Sequence, residues 1–203
     1  MAAGEGRRLR PLTERWPKPV LPIDGKPVIG TLLHELAAAG IGAATVVTGH
    51  LAEQVEELVG DGSAFSVSVG YARQPEPFGS ADAVRRTLEA GASAPLLVVA
   101  ADTVFRSGVV ARVSKDWLDS GVLAGLAVRR GGGDGKTPVR VEAGRVVEIG
   151  GDRGELTAAP LLFFAASVRF ITYGCPTFRS AANGFITYGC PTFRSAANGF
   201  ITS

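Results

Sequence analysis

The feature that most constrains the fold is an alternation of short apolar runs with amphipathic helical patterns. Ala44–Thr48 and Pro95–Ala100 are apolar or β-branched almost throughout, which is typical of strands buried on both faces of a parallel sheet. Apolar residues at helical spacing predict four helices, Val28–Ala39, Leu51–Val59, Ala81–Ala90 and Val109–Leu118. This β-α-β-α order predicts an open α/β sheet with helices on both faces.

Further strands are predicted from alternation and from turn residues. Phe65 to Tyr71 alternate apolar with small or polar residues, and the pattern changes after Leu123–Val128. Two short runs around Gly144 predict a hairpin of Val139–Val141 with Arg145–Ile149, the glycines of residues 131–135 predict a loop, and Leu161–Phe164 predicts one more strand. We expect no domain boundary before residue 170.

Charge and hydropathy narrow the class of partner. Lys and Arg number 21 against 19 Asp and Glu, so we expect neither nucleic acid nor an anionic membrane as partner. No apolar run is long enough to span a bilayer, and the N-terminus is charged where a signal peptide would be apolar. These observations predict a cytoplasmic protein, and they leave its oligomeric state open, a homo-oligomer included.

The C-terminal tail repeats itself. Residues 170–184 and 185–199 are identical, and a third copy begins at Phe200. Repeat folds usually have longer periods, imperfect copies and several units. We therefore interpret residues 170–203 as a duplicated tail that is artefactual or disordered, and we base no function on its two cysteines.

The most informative segment for function is the first 29 residues. Gly4 and Gly6 allow backbone N–H groups to approach phosphate oxygens closely. Arg7, Arg8 and Lys18 add positive charge, and five prolines predict an extended, stiff connection. Such a loop suits a triphosphate, whose charge must be neutralised while attacking and leaving groups are held in line.

Two other phosphate-binding motifs do not fit this string. A Walker loop needs Gly-x4-Gly-Lys-Ser/Thr, which the chain lacks. A dinucleotide loop needs a third glycine and an immediate helix, but position 9 is Leu and Pro11 disfavours that helix.

The whole string resembles the signature of the sugar-nucleotide pyrophosphorylases, which are nucleotidyltransferases acting on sugar 1-phosphates. The resemblance implies a Rossmann-like, open, mixed and mostly parallel sheet, and transfer of a nucleotidyl group from an NTP to a sugar 1-phosphate, giving NDP-sugar and pyrophosphate. It implies catalytic roles for Arg8 and Lys18, and nucleotide contacts for Ala3, Gly4, Gly6 and Arg7, although Arg7 stands where the family usually has Thr.

Two later segments also resemble the family. Residues 72–83 resemble its base-recognition loop, which implies base contacts for Gln74 and Gly79; Ser80 is in addition a suitable helix N-cap. Asp102 follows an apolar run, at the edge where open α/β sheets bind ligands, and the resemblance implies that it binds Mg²⁺. His34 and His50 receive no catalytic role.

The resemblance covers residues 1 to about 164 and is incomplete at both ends. It implies a nucleotidyltransferase core over residues 1–169 whose first strand is mostly missing. The sequence has neither the Glu-Lys-Pro that the family usually carries after the hairpin nor a second acidic metal ligand. Alternatives are a non-catalytic nucleotide-binding or regulatory module, an inactive gene fragment, and a molybdenum cofactor guanylyltransferase. The base and the sugar stay open.

Overall fold

The N-terminal segment is coiled into short turns rather than extended. The computed structural model describes residues 1–76, 78–130, 137–150, 156–164 and 201–202. Single 3-10 turns and a one-turn helix are followed by a small antiparallel hairpin: turns Arg7–Leu9 and Lys18–Val20, helix α1 (Leu12–Arg15), strands β1 (Pro22–Ile23) and β2 (Lys26–Pro27). Helix α1 follows Pro11, because a proline's fixed φ is compatible with the start of a helix. The prolines therefore stiffen a turned segment, not the extended one expected from sequence.

Helices and strands then alternate as predicted. The elements are α2 (Val28–Ala38), β3 (Ala43–Thr48), α3 (Ala52–Val59), β4 (Ser68–Arg73) and α4 (Ser80–Glu89). Strands β3 and β4 pair in parallel, with Ala43 opposite Ser68 and Thr48 opposite Arg73. Their carboxyl ends therefore meet at one edge, which is where ligands bind in sheets of this kind.

The strand expected from Phe65 begins later. Phe65 ends a 3-10 turn, Ser63–Phe65, and Ser66 has a positive φ of 60°, which breaks the extended backbone. The Phe65 ring instead packs edge-on against His34, with ring centroids 5.3 Å apart. His34 therefore contributes to packing in this part of the fold.

The remaining strands form an open sheet around one long strand. The elements are β5 (Leu96–Val99), α5 (Val109–Ser120), β6 (Ala124–Arg130), β7 (Pro138–Glu142), β8 (Arg145–Ile149), β9 (Leu156–Phe164) and β10 (Ile201–Thr202). Strand β9 pairs antiparallel with β5, β6 and β7, and the predicted hairpin is the antiparallel pair β7–β8. Within the described residues, parallel pairing is confined to β10–β6 in this sheet and to β3–β4, which form a separate two-stranded sheet, so there are fewer parallel pairs than expected.

The backbone divides into two compact units. One comprises residues 1–78, 82–92 and 100–112, and the other comprises residues 79–81, 93–99 and 113–203. The first contains a core of Val47, Ala72 and Ala83, and the second a core around Leu126, Val128 and Val139. The predicted boundary at residue 169, the 131–135 loop and all of the repeat except Ile201–Thr202 lie outside the described residues.

The first two residues take the place of a strand end. The Ala2 N–H donates to the Val47 carbonyl at 2.8 Å, and the Met1 carbonyl accepts from the Ala101 N–H at 2.9 Å. A backbone bonded on both sides in this way is what the end of a central strand requires.

Candidate functional site

The glycine turn is held tightly, and Lys18 lies against it. Gly6 has a φ of 67°, and its carbonyl accepts a 3.0 Å hydrogen bond from the buried Thr13 hydroxyl. A Cβ added at Gly6 would lie 2.8 Å from the Thr13 methyl and 3.0 Å from Lys18 Cε. Both the backbone conformation and the space therefore require glycine at this position.

The structure brings Lys18 and Asp102 together. Lys18 Nζ lies 3.4 Å from an Asp102 carboxylate oxygen, and the two side chains are 30% and 44% exposed. Asp102 follows β5 by three residues, directly after Ala101, whose backbone bonds to Met1. A cation and a carboxylate that are both accessible to solvent can both reach a bound ligand.

Arg7 and Arg8 have different surroundings. Arg7 Nε donates to Glu5 at 2.7 Å, and Arg10 lies 3.6 Å from the same carboxylate. The hydrogen bond and charge of Arg7 lower the pKa of Glu5. No hydrogen bond or ion pair joins Arg8 to any residue that the structure describes. The structure therefore does not bring Arg8 into contact with Lys18 or Asp102, and Arg7 is held by a carboxylate.

Thr13 and Gln54, which the sequence interpretation left out, hold the N-terminal loop in place through hydrogen bonds. Thr13 holds Gly6, and the Thr13 carbonyl in turn accepts from His50 Nε2 at 3.0 Å, so that ring nitrogen carries the proton. The Gln54 amide donates to the Arg15 carbonyl at 2.9 Å. The bonds of His50 and Gln54 join residues far apart in sequence, so local spacing could not predict them. The only available signal was Thr13 itself, two residues after Pro11.

Gly49 is where the glycine loop meets the end of β4. A Cβ at Gly49 would lie 2.7 Å from the Gln74 carbonyl oxygen and 2.8 Å from Ala3 Cβ. The Gln74 N–H also donates to the Thr48 carbonyl at 2.7 Å. Gly49 and Gln74, which directly follow β3 and β4, and Ala3 of the N-terminal segment are thereby close together.

Gln74 is buried and paired with a carboxylate that the sequence interpretation did not single out. Gln74 is 5% exposed, and its Nε2 donates to Asp82 at 2.9 Å. Arg85 and Arg86, one turn further along α4, donate to the same carboxylate at 2.6 and 2.7 Å. Burial raises the pKa of Asp82, but the three hydrogen bonds outweigh it and lower that pKa to about 2. The Asp-x2-Arg-Arg spacing on a predicted helix was the available signal.

Two further predicted nucleotide-binding residues, Gly4 and Gly79, lie in loops. A Cβ placed on Gly4 would meet no described atom within 4 Å, and Gly79 precedes α4 with a φ of 89°. Among the described residues, no group of three or more His, Cys, Asp or Glu side chains gathers around a cation-sized space. Asp102 is therefore a single carboxylate, and any metal there needs further oxygen ligands from elsewhere.

Comparison with known proteins identifies the family. The model of the family described as nucleotidyl transferase matches residues 1–121, which is more than half of the chain. The chain belongs to the nucleotidyl transferase family. The match covers the glycine turn, Lys18, Gln74 and Asp102, so family membership and the resemblance drawn from the N-terminal string agree.

Two relatives of the chain are named as enzymes acting on sugar phosphates. The N-acetylmuramate alpha-1-phosphate uridylyltransferase of Neisseria meningitidis is 40% identical over 107 residues, covering 51% of this chain and 46% of the relative. The glucose-1-phosphate thymidylyltransferase of Streptomyces griseus is 40% identical over 84 residues, covering 41% and 24%. The chain thus spans less than half the length of these relatives.

A solved structure confirms the fold class. A Bacillus anthracis structure, described as a glucose-1-phosphate thymidylyltransferase in complex with sucrose, matches with a TM-score of 0.76 at 19% identity. The match covers 90% of this chain and 75% of the other. The open α/β architecture predicted from sequence is therefore confirmed. Among the described residues, the helices are all too short or too polar to cross a bilayer.

Proposed function

We propose that this chain carries the nucleotide-binding part of an enzyme that transfers a nucleotidyl group from an NTP to a sugar 1-phosphate. The products are an NDP-sugar and pyrophosphate. The observation that supports this most directly is the Lys18–Asp102 pair, 3.4 Å apart, beside the glycine turn. Family membership and the sugar-phosphate relatives point to the same reaction.

The proposed chemistry needs positioning and charge neutralisation, without a covalent intermediate. The sugar phosphate oxygen attacks the α-phosphorus as the bond to pyrophosphate breaks in line. Backbone N–H groups around Gly4 and Gly6 bind phosphate oxygens, and the Lys18 ammonium neutralises charge that develops on them. Arg8, which has an unpaired guanidinium within the described residues, is proposed to bind the triphosphate.

Asp102 fits a magnesium site of the kind that nucleotides complete. Mg²⁺ is usually bound by one or two carboxylates together with substrate phosphates, and Asp102 offers one carboxylate that is 44% exposed. When bound, Mg²⁺ would supply positive charge to the triphosphate. The chain's own part is to hold that carboxylate, through Lys18, next to the phosphate loop.

The base is proposed to be recognised at Gln74 and Gly79. The two relatives named above transfer uridylyl and thymidylyl groups, whose bases both present a ring N–H beside carbonyl oxygens. A primary amide such as that of Gln74 can hydrogen-bond to such an edge. We further propose a cytoplasmic location, with neither nucleic acid nor a membrane as partner.

The proposal is tested by nucleotide binding and pyrophosphate release on the full chain. Calorimetry with NTPs and Mg²⁺ should detect binding that Asp102→Asn weakens at least tenfold, while Asp24→Asn in the β1–β2 turn leaves it unchanged. Pyrophosphate release should require a sugar 1-phosphate. Absence of NTP binding contradicts the proposal, and binding without release across a panel of sugar phosphates favours the non-catalytic module instead.

A further inference from the structure

We propose that Asp82 is a positioning residue that fixes the orientation of the Gln74 amide, and that it thereby makes the site select bases with a ring N–H. Uracil, thymine and guanine have a ring N–H on their Watson–Crick edge, whereas cytosine and adenine have a ring nitrogen without hydrogen there. The inference rests on the proposed function, because it takes Gln74 to be the residue that contacts the base.

The position of Gln74 is fixed by its backbone. Its N–H bonds to the Thr48 carbonyl at 2.7 Å, and its carbonyl lies against Gly49 with no space for a Cβ between them. The side chain is 5% exposed. A buried side chain on a fixed backbone keeps few rotamers, so the remaining freedom is the 180° flip of the terminal amide.

Asp82 decides that flip. A carboxylate only accepts hydrogen bonds, so the amide group that faces Asp82 at 2.9 Å must be the NH₂ end. With the nitrogen held towards α4, the carbonyl oxygen lies at the other corner of the planar amide. Because that oxygen has two lone pairs, it can accept from a base in addition to any contact within the protein.

The carboxylate is itself held in place and kept ionised. Arg86 donates to Asp82 at 2.7 Å and also to the Arg73 carbonyl, at the end of β4, at 3.0 Å. Arg85 bonds to the other carboxylate oxygen. These bonds lower the pKa of Asp82 to about 2 despite its burial, so it remains a pure acceptor at neutral pH.

A fixed acceptor discriminates between bases that a freely flipping amide would not. In one binding pose, uracil presents N3–H where cytosine presents N3 without hydrogen, and guanine and adenine differ in the same way at N1. An amide locked with its carbonyl towards that atom would bond to uracil and repel cytosine. An amide free to flip would offer its NH₂ to cytosine and its carbonyl to uracil.

The test compares UTP with CTP, in the presence of Mg²⁺, by calorimetry on the full chain. We expect the wild type to prefer UTP by about tenfold or more, and Asp82→Ala and Asp82→Asn to bring the ratio of the two dissociation constants close to one. CTP should bind the variants more tightly than it binds the wild type. Glu89→Gln is the matched control, since it removes another carboxylate that pairs with Arg85 on α4 without touching Gln74.

The ratio separates this role from a purely structural one. Damage to the fold would weaken both nucleotides and leave their ratio unchanged, and a partly unfolded sample does not alter the ratio. Retention of the UTP preference in both Asp82 variants, or its absence from the wild type, overturns the inference while NTP binding still supports the proposed function. If the wild type binds no NTP at all, the proposed function fails and this inference fails with it.

Discussion

Replacing Gly6 by alanine tests how the proposed phosphate loop is built. At a φ of 67°, an L-residue costs about 1–2 kcal/mol relative to glycine. The new methyl would also lie 2.8 Å from the methyl of Thr13, which is 1% exposed, and 3.0 Å from Lys18 Cε. Relieving such crowding in a packed site costs about 1–3 kcal/mol more. We therefore expect Gly6→Ala to lower the free energy of unfolding by about 2–5 kcal/mol.

Gly25→Ala provides the matched control. Gly25 has a similar φ of 76°, but a Cβ placed there would have no atom of the described residues within 4 Å. It should therefore show the backbone cost alone, about 1–2 kcal/mol. The difference between the two variants, measured by urea unfolding, isolates the crowding against Thr13 and Lys18.

Nucleotide affinity gives the second readout. Lys18 has a flexible side chain, so it is the group that gives way, and its displacement moves the ammonium from Asp102. Gly6→Ala should weaken NTP binding at least tenfold, and Gly25→Ala should leave it within about twofold of the wild type. Equal destabilisation by the two variants, or unchanged binding by Gly6→Ala, would refute the reasoning.

Three more variants test the neighbouring contacts. Lys18→Met should change the free energy of unfolding, measured in urea, by less than about 1 kcal/mol, because its ion pair is partly exposed. It should nevertheless slow pyrophosphate release about 100-fold or more. The control Lys26→Met should leave both the stability and the rate of pyrophosphate release unchanged. Because the pKa of Asp82 is lowered to about 2, its stabilisation is present above its ordinary pKa of about 3.9 and is lost as pH falls towards 2. The stability difference between wild type and Asp82→Asn should thus shrink on acidification, and a constant difference would contradict this. Gly49→Ala places a methyl 2.7 Å from a backbone oxygen and should cost about 1–3 kcal/mol and weaken NTP binding, whereas Gly70→Ala, with open space around it among the described atoms, should leave NTP binding unchanged.

Local periodicity predicted the helices well. Helix α2 was expected over Val28–Ala39 and is observed over Val28–Ala38, because its apolar residues repeat at helical spacing and Gly40 permits a left-handed turn after it. The strand assigned from Phe65 failed because alternation alone cannot reveal the turn at Ser66 or the ring contact with His34. Phe65 is half-buried against His34 instead of lying in the strand that the alternation indicated.

In the candidate site, the proximity of Lys18 to Asp102 was predictable from the family resemblance of the surrounding residues, whereas the contacts of individual supporting side chains were not. The sequence placed Lys18 and Asp102 in one site across 84 residues, and the structure brings them within 3.4 Å. The hydrogen bonds between Thr13 and Gly6 and between Gln74 and Asp82 were not predicted, because each is a side-chain contact that no spacing rule specifies. The antiparallel pairing of β9 with β5 was missed because apolar runs do not show strand direction.

The contact at Gly49 has a consequence for how the protein can vary. A Cβ on Gly49 would lie within 3.0 Å of both Ala3, in the proposed phosphate loop, and the Gln74 backbone carbonyl, so only a glycine hydrogen fits between these two residues. Any larger group at this one position would separate them by more than a side-chain adjustment could restore. Changes in preference for a different base are therefore expected to arise on α4 and around Gln74, while the distance from base to triphosphate stays constant.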